Sequence, residues 1–208
     1  MFKKNNYKLI INKWSLVIFI SFGVLLFFVV SQTQLLNTLL PIINHEIIMK
    51  TYYEKGFGWS ITYPANMKVV SNSVENRVSD PDAIGNAVDF WVDGPTQRSG
   101  TEFHDGILIT IFIANKAPGM SLEGFAIQKS SKSGLNNNSL YPVSKIEVNG
   151  INGYQFLISE SGKTLSIFLP YKDRVDKVLV MYIISEGKNK SDYDALLKKM
   201  LDTFSFEE

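Results

Sequence analysis

From Trp14 to Val30 the chain reads WSLVIFISFGVLLFFVV, seventeen residues without a charge and almost wholly apolar. No other stretch constrains this chain so strongly, because such a run has no polar face to turn to water. Extended by the uncharged Ser31 and Gln32, a helix over 14–32 just reaches the length that crosses a bilayer of about 30 Å. Lys3, Lys4, Lys8 and Lys13 precede it with no acid among them. That asymmetry places the N-terminus inside and the remainder outside, with Trp14 at the inner headgroup level. A cleaved signal peptide shares the charged start and the apolar core, and Val29-Val30-Ser31 would then lie at the cleavage site. The run is long for a signal, which favours an uncleaved single-pass anchor. Either way the remaining residues are expected outside the cytoplasm, secreted if residues 1–31 are removed.

Setting the four early lysines aside leaves 17 of the 21 basic residues against 20 acidic ones. A weakly acidic body without a basic cluster lacks the footprint that nucleic acid requires. There are no cysteines, which excludes disulfides, thiolate nucleophiles, zinc–thiolate sites and a lipid-modified cysteine anchor.

Residues 1–13 therefore read as a cytoplasmic basic tail and 14–32 as the span. Residues 33–50, broken at Pro41, read as a juxtamembrane stalk, and 51–208 as one domain. Within that domain, alternation and β-branched or aromatic enrichment predict strands near Trp59–Tyr63, Met67–Ser71, Ala87–Val92 and Ile107–Ala114. Four more fall near Val143–Val148, Gly153–Glu160, Leu165–Pro170 and Lys177–Ser185. Asn149-Gly150 marks a tight hairpin, and Ser161-Gly162-Lys163 a second turn. A helix is expected from a Ser121 cap to about Ser130. Another carries Tyr193, Leu196, Leu197, Met200, Leu201 and Phe204 on one stripe, with Ser191 and Asp194 as its capping box. Consecutive hairpins flanked by helices give an α+β domain built on an antiparallel sheet.

Three stretches, in order, resemble the PsbP family and its bacterial PsbP-like members. They are Tyr53-Glu54-Lys55-Gly56-Phe57-Gly58-Trp59-Ser60-Ile61-Thr62-Tyr63-Pro64, the Val148-to-Tyr154 hairpin, and the segment from Tyr193 to Thr203-Phe204-Ser205-Phe206, read as helical. The resemblance covers about 51–208. It implies a sheet of about six or more antiparallel strands sandwiched by helices, a fold that PsbP shares with a Ran-binding nuclear-import factor. It also implies a non-enzymatic role, since PsbP assists ion retention at a photosynthetic membrane complex. Bacterial relatives are commonly lipoproteins; here a transmembrane helix would replace the lipid.

Read for chemistry, the domain offers few candidates. Glu102, His104 and Asp105 combine an imidazole with two carboxylates, a donor set suited to manganese or zinc; the alternative is a solvated loop before a strand. Asp80, Asp82 and Asp89 could hold calcium weakly, but the fifth and twelfth positions of a calcium loop begun at Asp80 carry Ile84 and Trp91, so the 12-residue motif fails. Gly162-Lys163-Thr164 lacks the upstream glycine of a phosphate loop, its place taken by Leu157. Ser185-Glu186-Gly187-Lys188 fits Ser-x-x-Lys without its companion motifs. Phe90 and Trp91 are neighbours on one strand and so face opposite ways, which makes Trp91 a candidate partner contact. With no nucleophile, base and orienter to assemble, an enzyme is not expected. The expected function is a membrane-anchored extracytoplasmic module that binds or assists a membrane or envelope complex, without a cofactor. The alternative is a small-molecule or metal-ion binding domain at the cell surface, and a hydrolase ranks last.

Overall fold

The computed structural model describes residues 48–76, 78–132, 141–158, 164–172 and 174–207. The span, nearly all of the stalk, and the turn at Ser161–Lys163 lie outside the described residues. Among those described, no helix is long and apolar enough to cross a membrane.

Seven strands form the main sheet: β3 (Lys68–Ser73), β4 (Ala83–Asp93), β5 (Gly106–Asn115), β6 (Ser144–Val148), β7 (Ile151–Ile158), β8 (Thr164–Pro170) and β9 (Lys177–Glu186). Their order is β3-β4-β5-β9-β8-β7-β6 and every pairing is antiparallel. The central pair, β5 and β9, reads as nearly continuous apolar sequence because both faces are covered. Ile107, Ile109, Ile111 and Ile113 point one way, with Leu179, Met181 and Ile183 beside them. Phe112, Ala114, Val178 and Val180 point the other way.

Each face has its own cover. On the first lie a three-stranded sheet, β1 (Met49–Glu54), β2 (Trp59–Pro64) and β10 (Ser205–Phe206), and helix α2 (Lys190–Leu201). Trp59, Ile61, Leu197, Met200 and Phe204 close that core. On the second face lies helix α1 (Leu122–Lys132), whose Phe125 and Ala126 pack on Phe112, Phe156 and Phe168. A fully buried phenylalanine contributes about 1.5–3 kcal/mol, so these aromatic contacts fix α1 to the sheet.

Local chemistry sets the boundaries. Ser121 caps α1 as predicted, its Oγ accepting the Gly124 amide at 2.9 Å. The β6–β7 hairpin turns at Asn149 (φ 46°) and Gly150 (φ 80°), the paired positive angles of a type I′ turn. Two expectations for the C-terminus are corrected. Asn189, not Ser191, precedes the first turn of α2, and it makes no side-chain capping bond. Asp194 instead accepts from Ser185 Oγ at 2.7 Å and from Lys190. The segment after Leu201 is not helical. Ser205 and Phe206 pair with Ser60 and Trp59, giving the free edge of β2 a partner. The stalk boundary also shifts, since β1 starts at Met49 and its Tyr52 ring meets Trp59 and Phe90.

Candidate functional site

Helix α1 covers only part of the second face. Beyond it, one row of residues crosses four strands: Asp89, Thr110, Tyr182 and Ser166 stand opposite one another in register. A period-2 strand sends all four side chains to the same side. This is a polar stripe between the Leu108–Ile184 and Phe112–Val180 pairs of the same face. Thr110 donates its hydroxyl to Asp89 at 2.7 Å.

Above the stripe sits an ion-pair cluster. Lys129, on the last turn of α1, donates to Asp80, and to Asp82 at 2.9 Å. The side chains of Lys129 and Asp80 are only 7% and 4% exposed, whereas that of Asp82 is 37% exposed. Asp80 also accepts from the Tyr182 hydroxyl and from the Asp82 amide, each at 3.0 Å. The Lys129 ammonium lies 5.0 Å from the centre of the Phe125 ring, which adds a cation–π contact. Buried charge is costly unless it is paired and hydrogen-bonded; this pair has both provisions. Burial first, and then the neighbouring Asp80 carboxylate, pushes the Tyr182 phenol far above its ordinary value. Tyr182 is thereby held as a proton donor.

Cluster and stripe bound a partly open pocket of about 430 Å³. Leu108, Ile158 and Ile184 supply apolar wall, and Asp80 and Lys129 form one edge. Ser166 belongs to the lining, and its hydroxyl is buried without a hydrogen-bond partner among the described residues. A buried hydroxyl left in that state costs about 1–3 kcal/mol. Among the described residues no histidine lines the pocket.

The residues singled out from the sequence lie elsewhere. His104 is exposed, with Nδ1 3.1 Å from the Glu102 backbone oxygen and Nε2 3.0 Å from that of Thr96. Asp105 is buried, and its Oδ2 accepts from the Thr96 amide and hydroxyl, both at 2.7 Å. Those two bonds hold its carboxyl below the usual value. Glu102 is exposed, and no group of three such donors gathers as a metal site among the described residues. Trp91 is half-buried with the Lys68 ammonium 5.6 Å from its ring centre. It stands opposite Leu108, which lines the pocket. Asp80 and Asp82 do converge, but on Lys129. Sequence reasoning missed Lys129, Tyr182 and Ser166. The available signal was a polar residue at an inward position of two apolar strands, Tyr182 in VLVMYIIS and Ser166 in LSIFLP.

No family model matches the chain, and no curated protein matches it. Among solved structures it resembles the solution structure of cyanobacterial PsbP from Synechocystis sp. PCC 6803. The likeness has 11% identity and a TM-score of 0.46, over 78% of this chain and 95% of the other. At that level it carries no argument about ligand, partner or role.

Proposed function

We propose that this chain is a membrane-tethered, non-enzymatic binding module held outside the cytoplasm, whose working site is the pocket beside the Asp80–Lys129 pair. One observation carries the reading: the pocket's charged groups satisfy each other while a buried hydroxyl, that of Ser166, has no partner among the described residues. A site meant for proton transfer needs a group poised to lose or gain a proton. Here Tyr182 is pushed toward keeping its proton, and its hydroxyl is already given to Asp80. Retention of a ligand fits that chemistry; turnover does not. Tethering and export rest on the apolar run 14–30 and the four lysines before it. Membership of the PsbP-like family rests on the three stretches quoted above. In a second reading the module assists a membrane or envelope complex, favoured by Trp91, which is only half-buried.

Two measurements test this. Reporters fused after Glu208 should be active when they require the exported side (alkaline phosphatase) and dark when they require the cytoplasm (green fluorescent protein). The opposite pattern sinks the exported reading. A photo-crosslinking amino acid at position 91, used in whole membranes, should capture one protein in near-stoichiometric yield if the module assists a complex. Recovery of the uncrosslinked chain alone removes that second reading.

A further inference from the structure

We infer that the pocket selects an uncharged small molecule, largely apolar, with one hydroxyl or carbonyl group that pairs with Ser166. The inference rests on the binding-module reading and adds the ligand's chemistry.

Charge comes first. Among the described residues, the lining contains one carboxylate, Asp80, and one ammonium, Lys129, bonded to each other. Asp82, the second carboxylate on Lys129, is outside the lining and partly in water. An anionic ligand would have to take Lys129 from Asp80, and a cationic one would have to take Asp80 from Lys129. Either exchange strands a charge whose own side chain is less than a tenth exposed, and an uncompensated buried charge is heavily penalised. A neutral ligand asks for no exchange.

Shape and polarity narrow the class. Val78, Pro81, Leu108, Ile158 and Ile184 make most of the wall apolar. The volume of about 430 Å³ falls within the range of small-molecule sites. On the floor, Thr110 is already bonded to Asp89 and Tyr182 to Asp80. Among the described residues Ser166 has no such bond, although it stands in the same row. Its hydroxyl can donate or accept, so either an alcohol or a carbonyl on the ligand would complete it. Binding sites that hydrogen-bond one polar group discriminate strongly against analogues that lack it, because the site's own group is then left unpaired.

The test uses four probes of one shape: 2-phenylethanol, ethylbenzene, phenylacetate and 2-phenylethylammonium. Each is titrated against the full chain in nanodiscs by saturation-transfer NMR, with empty nanodiscs as the blank. The alcohol should bind saturably, ethylbenzene about five- to tenfold more weakly, and both ions at least about tenfold more weakly than the alcohol. Ser166→Ala should weaken the alcohol to the level of ethylbenzene and leave ethylbenzene itself unchanged, while Ser166→Thr, which keeps a hydroxyl, should restore the preference. An ion that binds as well as the alcohol overturns the ligand class and leaves a binding module standing. An alcohol preference that survives Ser166→Ala removes Ser166 from recognition. No saturable binding by any probe overturns the inference outright, while the topology reporters decide export independently.

Discussion

Replacing Lys129 by methionine is the sharpest probe of the site, because it removes a charge and keeps most of the side chain's bulk. Asp80, 4% exposed, would retain two donors, the Tyr182 hydroxyl and the Asp82 amide, but no counter-charge. Breaking a buried pair from one side costs about 3–5 kcal/mol, and the two remaining donors argue for the lower half of that range. Asp82 adds little, since its carboxylate can rehydrate. At about 2–4 °C per kcal/mol for a domain of this size, the melting point should fall by roughly 6–16 °C. Urea and thermal melts of the full chain in nanodiscs, followed by tryptophan fluorescence, measure the loss. Adding Asp80→Asn to Lys129→Met should restore part of it, because the stranded charge is then gone, and the cycle should show a coupling above about 2 kcal/mol. A loss below about 1 kcal/mol, the scale of an exposed ion pair, would show that water reaches the pair. A charged ligand would then meet no large penalty, and the pocket would have no reason to prefer a neutral one.

Three further outcomes follow from the loop between β4 and β5. Asp105 has a folded pKa lowered beneath its ordinary 3.8 by the Thr96 amide and hydroxyl. Its stabilising contribution is therefore fully present above the unfolded value and is lost as pH falls through the folded one. Urea midpoints of the parent should drop more steeply below about pH 4 than those of Asp105→Asn; parallel curves would show that Thr96 does not hold the ionised form. At Gly187 (φ 97°) an added Cβ would lie 2.0 Å from Asp105 Oδ1, so Gly187→Ala should cost at least about 2 kcal/mol in the same melts. A neutral effect would mean that this cage is loose. Saturating manganese or zinc should leave the melting point within about 1 °C of its value in chelator, because Asp105 Oδ2 already serves Thr96 and both His104 nitrogens already face backbone oxygens. A rise abolished by His104→Ala would establish the metal role instead.

What was legible in the sequence was what local pattern controls. The eight segments became strands β2 to β9, since alternation, or in β5 and β9 a run of β-branched and apolar residues, leaves its mark on each strand separately. Asn149-Gly150 fixed its turn for the same reason: the positive angles are a property of those two residues. The elements that escaped owe their form to distant partners. Ser205-Phe206 continues a helical stripe by spacing, yet pairs with β2, about 145 residues away. Met49–Glu54 carries no clean alternation and is a strand because β2 lies beside it.

The pocket belongs to this second kind, and more so. Lys129 reaches Asp80 across 49 residues, and Asp80 reaches Tyr182 across 102. Taken singly, each has an ordinary alternative role, as a surface lysine, a turn aspartate or a strand tyrosine. Only the register of β4, β5, β9 and β8 sets Asp89, Thr110, Tyr182 and Ser166 in one row, and only the seat of α1 on Phe112 and Phe168 brings Lys129 above it. The metal trio failed to converge for the converse reason. Glu102, His104 and Asp105 are adjacent in sequence, but the Asp105 carboxylate is taken by the Thr96 amide and hydroxyl and both His104 nitrogens face backbone oxygens, so the three do not gather as one donor set. Adjacency along a loop says little about where three side chains point, whereas register across a sheet dictates it. A site in a fold of this kind is therefore better sought from polar residues at inward strand positions than from clusters of ligating residues in the loops.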